Sequence, residues 1–201
     1  MAALSEPGHA VRMATPIVQR GSGRRAQILA VAAELFAKHG YHGVSIADLG
    51  AAVGVSGPAL YRHFEGKDAL LAEMLISISE HLLTGGQERA AASGDPQEVL
   101  VALVEFQAEF AQREPELIVV QDRDLANLPE GPRHTVRQLQ RRYVEIWVDA
   151  LRKLHPGLSD EAARAAAHGA FGLLNSTPHS GRSTEAVALL RRMALTALRE
   201  L

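Results

Sequence analysis

The residues best suited to chemistry lie in one stretch, Ser56 to Lys67, which reads SGPALYRHFEGK. Tyr61, Arg62, His63 and Lys67 offer a phenol, a guanidinium, an imidazole and an ammonium within seven positions. Such groups are able to hold anions, phosphate among them. The residues before them, Ser56, Gly57, Pro58 and Ala59, are small enough to let another molecule come close. No catalytic arrangement competes with this reading. There is no Gly-rich phosphate loop, no His-Glu-x-x-His and no nucleophile elbow, and cysteine is absent. His39 and His42 straddle the helix-ending Gly40 and lack a third ligand, so neither a metal nor a cofactor is expected, and the chain is read as no enzyme.

Two short helices must hold that stretch in place. Ser45 is a predicted N-cap, Asp48 supplies the acid of a capping box three residues on, and Val44 and Leu49 flank the cap as a hydrophobic staple. The helix so begun reaches Gly54, which can take positive φ and end it. Ser56 opens the next helix with Pro58 in its first turn, where proline loses no helical hydrogen bond. Two helices joined by a glycine-bearing turn in roughly 20 residues make a helix-turn-helix, whose second helix enters the DNA major groove. Before them, Ile28, Ala32, Leu35 and Phe36 mark the buried face of a helix from Arg24 to about His39.

The wording of Ile28–Leu71, ILAVAAELFAKHGYHGVSIADLGAAVGVSGPALYRHFEGKDALL, goes further than its geometry. Its first helix ends in a Phe and a Gly, Ser-Ile opens the second, and Leu60-Tyr61-Arg62-His63-Phe64 closes the third before Lys67-Asp68 and an apolar pair. In these features the chain from Arg24 to Leu71 resembles the DNA-binding domain of the TetR family of transcriptional repressors. The resemblance implies an all-α chain of nine helices, three in the head and six in a ligand-binding and dimerisation domain. It also implies that Tyr61 and Lys67, with His63 as a weaker third, contact phosphate. Arg62 is the candidate for a guanine or a nearby phosphate, and Pro58 and Ala59 for thymine methyls. Ser45, at a helix N-terminus, suits another phosphate. Arg24, at the end of an arm that also carries Arg12 and Arg20, completes the set expected to touch double-stranded operator DNA.

The rest of the chain sets bounds. The organisation read from it is a disordered arm over 1–23, a DNA-binding domain over 24–70 and an effector-binding and dimerisation domain over 71–201. Among 201 residues there are 21 Lys and Arg against 23 Asp and Glu, a net charge of −2 that announces no nucleic-acid binder. The first 70 residues nevertheless hold 7 basic against 5 acidic side chains, a mild bias in the required direction. No apolar run approaches the roughly 20 residues of a membrane span, so no membrane partner and a cytoplasmic location are expected. Helical spacing predicts a helix from Lys67 to about Thr84, weakened at Gly85-Gly86, and a break at Ser93-Gly94-Asp95-Pro96. Further helices are expected over 96–113, 116–128 and 133–154, then two more capped by Ser159 and Thr184, with a loop over 178–182.

One head makes too small a contact for a tight specific site, so a homodimer is expected. Ala163, Ala167 and Ala170 on one helix, with Val187, Leu190, Ala194 and Ala197 on the last, are the predicted interface of a four-helix bundle. Both stripes could instead face the protomer's own core. Polar or aromatic residues at inward positions, Phe106, Phe110, Gln121, Arg123, Asn127, Tyr143, Trp147, His168 and Asn175, are the candidate lining for a small-molecule effector. The Phe- and Leu-rich middle suggests a largely apolar organic ligand. A faint resemblance to regulators of fatty-acid or acyl-CoA catabolism suggests a molecule of that type. The reading is a ligand-released repressor; the alternative is a helical ligand-binding or scaffold protein without specific DNA binding.

Overall fold

A computed structural model describes residues 23–180 and 183–201, so Arg12, Arg20 and most of the expected arm lie outside the described residues. Among those described, all regular structure is helical. The head comprises α1 (Arg24–His39), α2 (Ile46–Val53) and α3 (Gly57–Leu60). The long α4 (Lys67–Ala92) leads out of it into a body of α5 (Pro96–Arg113), α6 (Pro115–Asp124), α7 (Glu130–Leu154), α8 (Asp160–Leu174), α9 (Thr177–Ser180) and α10 (Thr184–Arg199). In the head, Ile28, Phe36, Leu49, Leu60, Leu70 and Leu71 are wholly buried, so the start of α4 belongs to the head's core. In the body α4 lies chiefly against α7, and α8 and α10 pack on each other and on α7 and α5.

Four expectations are corrected. First, α4 runs unbroken through Gly85 and Gly86. A Cβ at Gly85 would stand 2.2 Å from the Phe106 ring, and one at Gly86 would stand 2.7 Å from the Tyr143 ring. Each glycine costs a helix interior about 1 kcal/mol, and here each gives an aromatic ring direct access to the helix backbone. Second, α7 begins at Glu130 rather than Arg133, with Pro129 at its N-cap. Pro132 falls in the first turn, where its missing N–H has no intrahelical acceptor to lose. Third, α6 stops at Asp124, and a single 3-10 turn, Leu125–Asn127, replaces its expected last turn. Fourth, the expected loop at 178–182 begins as the short α9, so the described residues hold ten helices, and Ser183 rather than Thr184 caps the last one, accepting the Ala186 N–H at 3.1 Å.

Candidate nucleic-acid interface and cavity

The predicted turn is built as its residues require. Ser45 Oγ accepts from the Asp48 N–H at 3.1 Å, while the Asp48 carboxylate accepts from the Ser45 N–H at 2.8 Å and its hydroxyl at 2.6 Å. Those bonds hold the Asp48 carboxyl below its ordinary value, the side-chain bond from Ser45 contributing most. Gly54 ends α2 at φ 75. Gly50 lets α3 approach, because a Cβ there would sit 2.8 Å from the Val55 carbonyl oxygen. Beyond α3 the chain coils for one more turn, with the His63 N–H donating to Leu60 O at 2.9 Å.

That turn presents Tyr61, a large ring left 55% exposed, beside exposed Arg62, Ser56 and Pro58; Gly57, Ala59 and His63 are half-buried, and Leu60 and Phe64 are buried beneath. Arg24 stays exposed while bonding Gln27 Oε1 at 2.9 Å and Val53 O at 3.3 Å. Lys67 is not the free cation expected of a phosphate contact. Its ammonium donates to Tyr41 O and Val44 O, both at 2.9 Å, and stands 4.2 Å over the Tyr41 ring. It staples the α1–α2 loop to the start of α4. Arg25 is likewise committed, to Glu73, His63 O and the face of Phe64.

The body holds a cavity of about 340 Å³. Ser79 and Leu82 of α4, Gln107 of α5, Gln121 and Asp122 of α6 with Leu125, Gln140, Tyr143 and Val144 of α7, and His168, Phe171 and Asn175 from α8 and its end line it. Of the nine residues expected there, Gln121, Tyr143, His168 and Asn175 take part. Phe106 does not; it lies on Gly85 under the Arg89 guanidinium, 3.8 Å from its ring centre. Phe110 is core, and Trp147 is wholly buried behind the lining, its ring centre 4.8 Å from that of Phe171 and 6.3 Å from that of Tyr143. Missed were Ser79, Leu82, Gln107, Asp122, Leu125, Gln140, Val144 and Phe171, although Gln107 and Gln140 sit at helical spacing from the inward residues Leu103 and Val136. Hydrogen bonds link the floor: the Tyr143 hydroxyl donates to Gln107 Oε1 at 3.0 Å, and Gln107 Nε2 donates to Asn175 Oδ1 at 2.8 Å. Burial pushes the Tyr143 phenol up. Among the described residues the buried Trp147 indole N–H has no hydrogen-bond partner. Burial also raises the Asp122 carboxyl at the rim, opposed by His179.

Arg123 and Asn127, expected in the cavity, project from the other side of this segment onto the head. Arg123 donates to Phe36 O, which also accepts the Gly40 N–H at 2.8 Å, and, at 3.2 Å, to Ala37 O, two carbonyls in the last turn of α1. Asp124, almost wholly buried, pairs with the same guanidinium at 3.0 Å and accepts from Asn127 Nδ2 at 3.4 Å. Asn127 Oδ1 accepts from His42 Nε2 at 2.9 Å. One face of a ten-residue helix and its 3-10 extension therefore lines the cavity while the other grips the head.

The expected dimer stripes are also corrected. Ala163, Ala167, Ala170, Val187 and Ala194 are buried within the protomer and Leu190 is half-buried, because α8 and α10 turn those sides to their own neighbours. Only Ala197 is exposed. The outward faces carry Ala162, Ala165, Gly169 and Gly172 on α8 and Leu189 and Met193 on α10, the last two 47% and 48% exposed.

Comparison with known proteins agrees with this architecture in both parts. The family model described as bacterial regulatory proteins, tetR family, matches residues 28–74, and the one described as tetracyclin repressor-like, C-terminal domain, matches residues 93–179. The HTH-type transcriptional repressor KstR2 of Rhodococcus jostii is 28% identical over 145 residues, 72% of this chain and 70% of that protein. A TetR-family transcriptional regulator from Bordetella parapertussis superposes with a TM-score of 0.79 at 27% identity, covering 89% of this chain and 95% of its own. The structure of AibR in complex with isovaleryl coenzyme A and operator DNA superposes with a TM-score of 0.74 at 20% identity, covering 86% and 96%, a likeness of fold.

Proposed function

The chain belongs to the TetR family of bacterial transcriptional regulators, and on that premise we propose that it acts as a homodimeric repressor released from its operator by a small organic ligand. The observation that carries the reading is the double engagement of α6. Gln121 and Asp122 meet the cavity, while Arg123 and Asp124 hold the C-terminus of α1. A ligand that prefers one position of α6 then prefers one position of the head, which is the differential affinity that release requires.

Two copies pair through the outward faces of α8 and α10. Gly169 and Gly172 have open space where a Cβ would stand, so nothing among the described residues accounts for their small size, and a close-packed partner helix does. Pairing brings two heads onto half-sites about one helical turn, roughly 34 Å, apart. Within each head, Tyr61, Arg62, Ser45 and Arg24 bear on phosphate, and Ser56 to Ala59 lie against base edges. Ser45 already spends its hydroxyl on Asp48, so its contribution is the ordered N-terminus of α2.

The lining is more polar than the largely apolar one the sequence suggested, with amides from Gln107, Gln121, Gln140 and Asn175 among the apolar Leu82, Leu125, Val144 and Phe171. By analogy with AibR, a coenzyme A thioester is the first ligand to try. Among the described residues no helix is long and apolar enough to cross a membrane, in keeping with a protein that works on DNA in the cytoplasm. The test is retention of DNA flanking the protein's own gene, titrated with short- and long-chain acyl-CoAs. Retention reversed by a thioester supports the proposal, and retention indifferent to every thioester removes that ligand class.

A further inference from the structure

Resting on the reading of this cavity as the effector site, we infer that its inner end is built for an uncharged oxygen, a ketone, ester, thioester or hydroxyl on a compact carbon skeleton, and against a free carboxylate. The argument begins with charge. Among the described residues no Lys or Arg lines the cavity, and the one acid that does, Asp122, has the same sign as an incoming carboxylate. The neighbouring cations have bonds elsewhere: Arg123 to the end of α1, Arg89 to Gly85 O at 2.9 Å and over the Phe106 ring, its charge bearing on Tyr143 from outside the cavity, and His179 faces Asp122. His168 lines the cavity from an exposed position, where water screens it. A carboxylate seated inside would surrender its hydration without meeting a partner of opposite charge.

The floor supplies neutral donors in a set order. The Tyr143 hydroxyl donates to Gln107 Oε1, and Gln107 Nε2 donates to Asn175 Oδ1. Asn175 is thereby oriented with its Nδ2 group uncommitted among the described residues. The relay sets a donor facing a ligand oxygen and leaves the Tyr143 oxygen able to accept from a ligand hydroxyl. Gln107 and Tyr143 are almost wholly buried, so they cannot reorient into water to suit a different ligand. A thioester carbonyl satisfies the same donor, and its phosphates would then have to remain outside the cavity.

The chain carries one tryptophan, and it stands directly behind Tyr143 and Phe171, so its emission reports occupancy without any DNA present. The experiment titrates the full-length protein with 2-decalone, 2-decalol and decalin-2-carboxylate at neutral pH and follows Trp147 fluorescence. The ketone and the alcohol are expected to saturate, and the carboxylate to bind weaker by roughly 10- to 100-fold, the effect of one unpaired buried polar group. Asn175→Leu should weaken ketone binding by roughly 5- to 10-fold, the loss of one hydrogen bond to the carbonyl. Asn175→Asp, which keeps the shape and replaces the donor by an acceptor, should do the same if the leucine variant fails to fold, as judged by its melting curve. Carboxylate binding as tight as ketone, a ketone affinity untouched by both variants, or no saturation by any probe would overturn the inference. Operator retention is measured separately. Its loss with the probe preference intact sinks the regulator reading and not this one, and the reverse result sinks only this one.

Discussion

Replacing Arg123 by alanine should uncouple the two halves of the protein while leaving each intact. The side chain makes two hydrogen bonds to the last carbonyls of α1 and holds the buried Asp124. Being 43% exposed, it works partly in water, so its two bonds to α1 are worth about 1 kcal/mol each. Its loss also leaves Asp124, with 4% of its side chain exposed, only the long bond from Asn127, a further cost of about 1–3 kcal/mol. The sum, about 3–5 kcal/mol, falls on the junction between head and body. Urea denaturation should show that loss, and hydrogen exchange should show it concentrated in the last turn of α1. DNA affinity without ligand should change little, because no base- or phosphate-facing residue has moved. The ligand effect on that affinity, roughly 5- to 150-fold for couplings of this kind, should fall toward none. Arg123→Lys restores the charge without the forked geometry and should rescue only in part. A full ligand response from a stable Arg123→Ala protein would refute the reasoning, since coupling would then run by some route other than α6 and α1.

Lys67→Met should lower stability by about 2–3 kcal/mol in a melting experiment, since it removes two bonds to backbone carbonyls and a cation–π contact. Its effect on DNA binding should track that instability rather than the salt slope of a lost phosphate contact. Gly86→Ala should destabilise by about 1–3 kcal/mol despite alanine's better helix propensity, because its methyl would meet the Tyr143 ring, and Trp147 emission should shift with the displaced ring. Met193→Glu should yield folded monomers in sedimentation, with operator retention lost. The capping box should weaken in acid. Asp48 is depressed below its ordinary value of 3.8, so its contribution is complete above that value and disappears as pH falls through the lower folded value. Asp48→Asn should flatten that part of the stability profile.

The head was legible because its signals are local. A capping box, a staple and a left-handed glycine each need only neighbours in sequence, and all three occur where Ser45, Val44, Leu49 and Gly54 predicted them. The cavity was legible only in part. Inward spacing selects Phe106, Phe110, Trp147 and Tyr143 alike, and what separates core from lining is the void itself, which depends on where five helices leave off packing. Arg123 was misplaced because a residue on α6 has two partners to choose from, the cavity and α1, and periodicity alone does not rank them. α10 carries two apolar stripes, one through Val187, Leu190, Ala194 and Leu198 and one through Leu189, Met193 and Ala197. The sequence offered no reason to give the first to the protomer; packing against α5 and α8 does so. The Lys67 ammonium followed the same logic, since two open carbonyls at Tyr41 and Val44 lie within its reach once the head has folded.

The most direct test of the central proposal is selection of the intact dimer's binding sites from random-sequence duplex DNA, repeated with Tyr61→Ala. The account predicts enrichment of one two-fold symmetric site with half-sites about a helical turn apart, and loss of that enrichment in a Tyr61→Ala protein that still folds and dimerises. A folded wild-type dimer that enriches no sequence would contradict it.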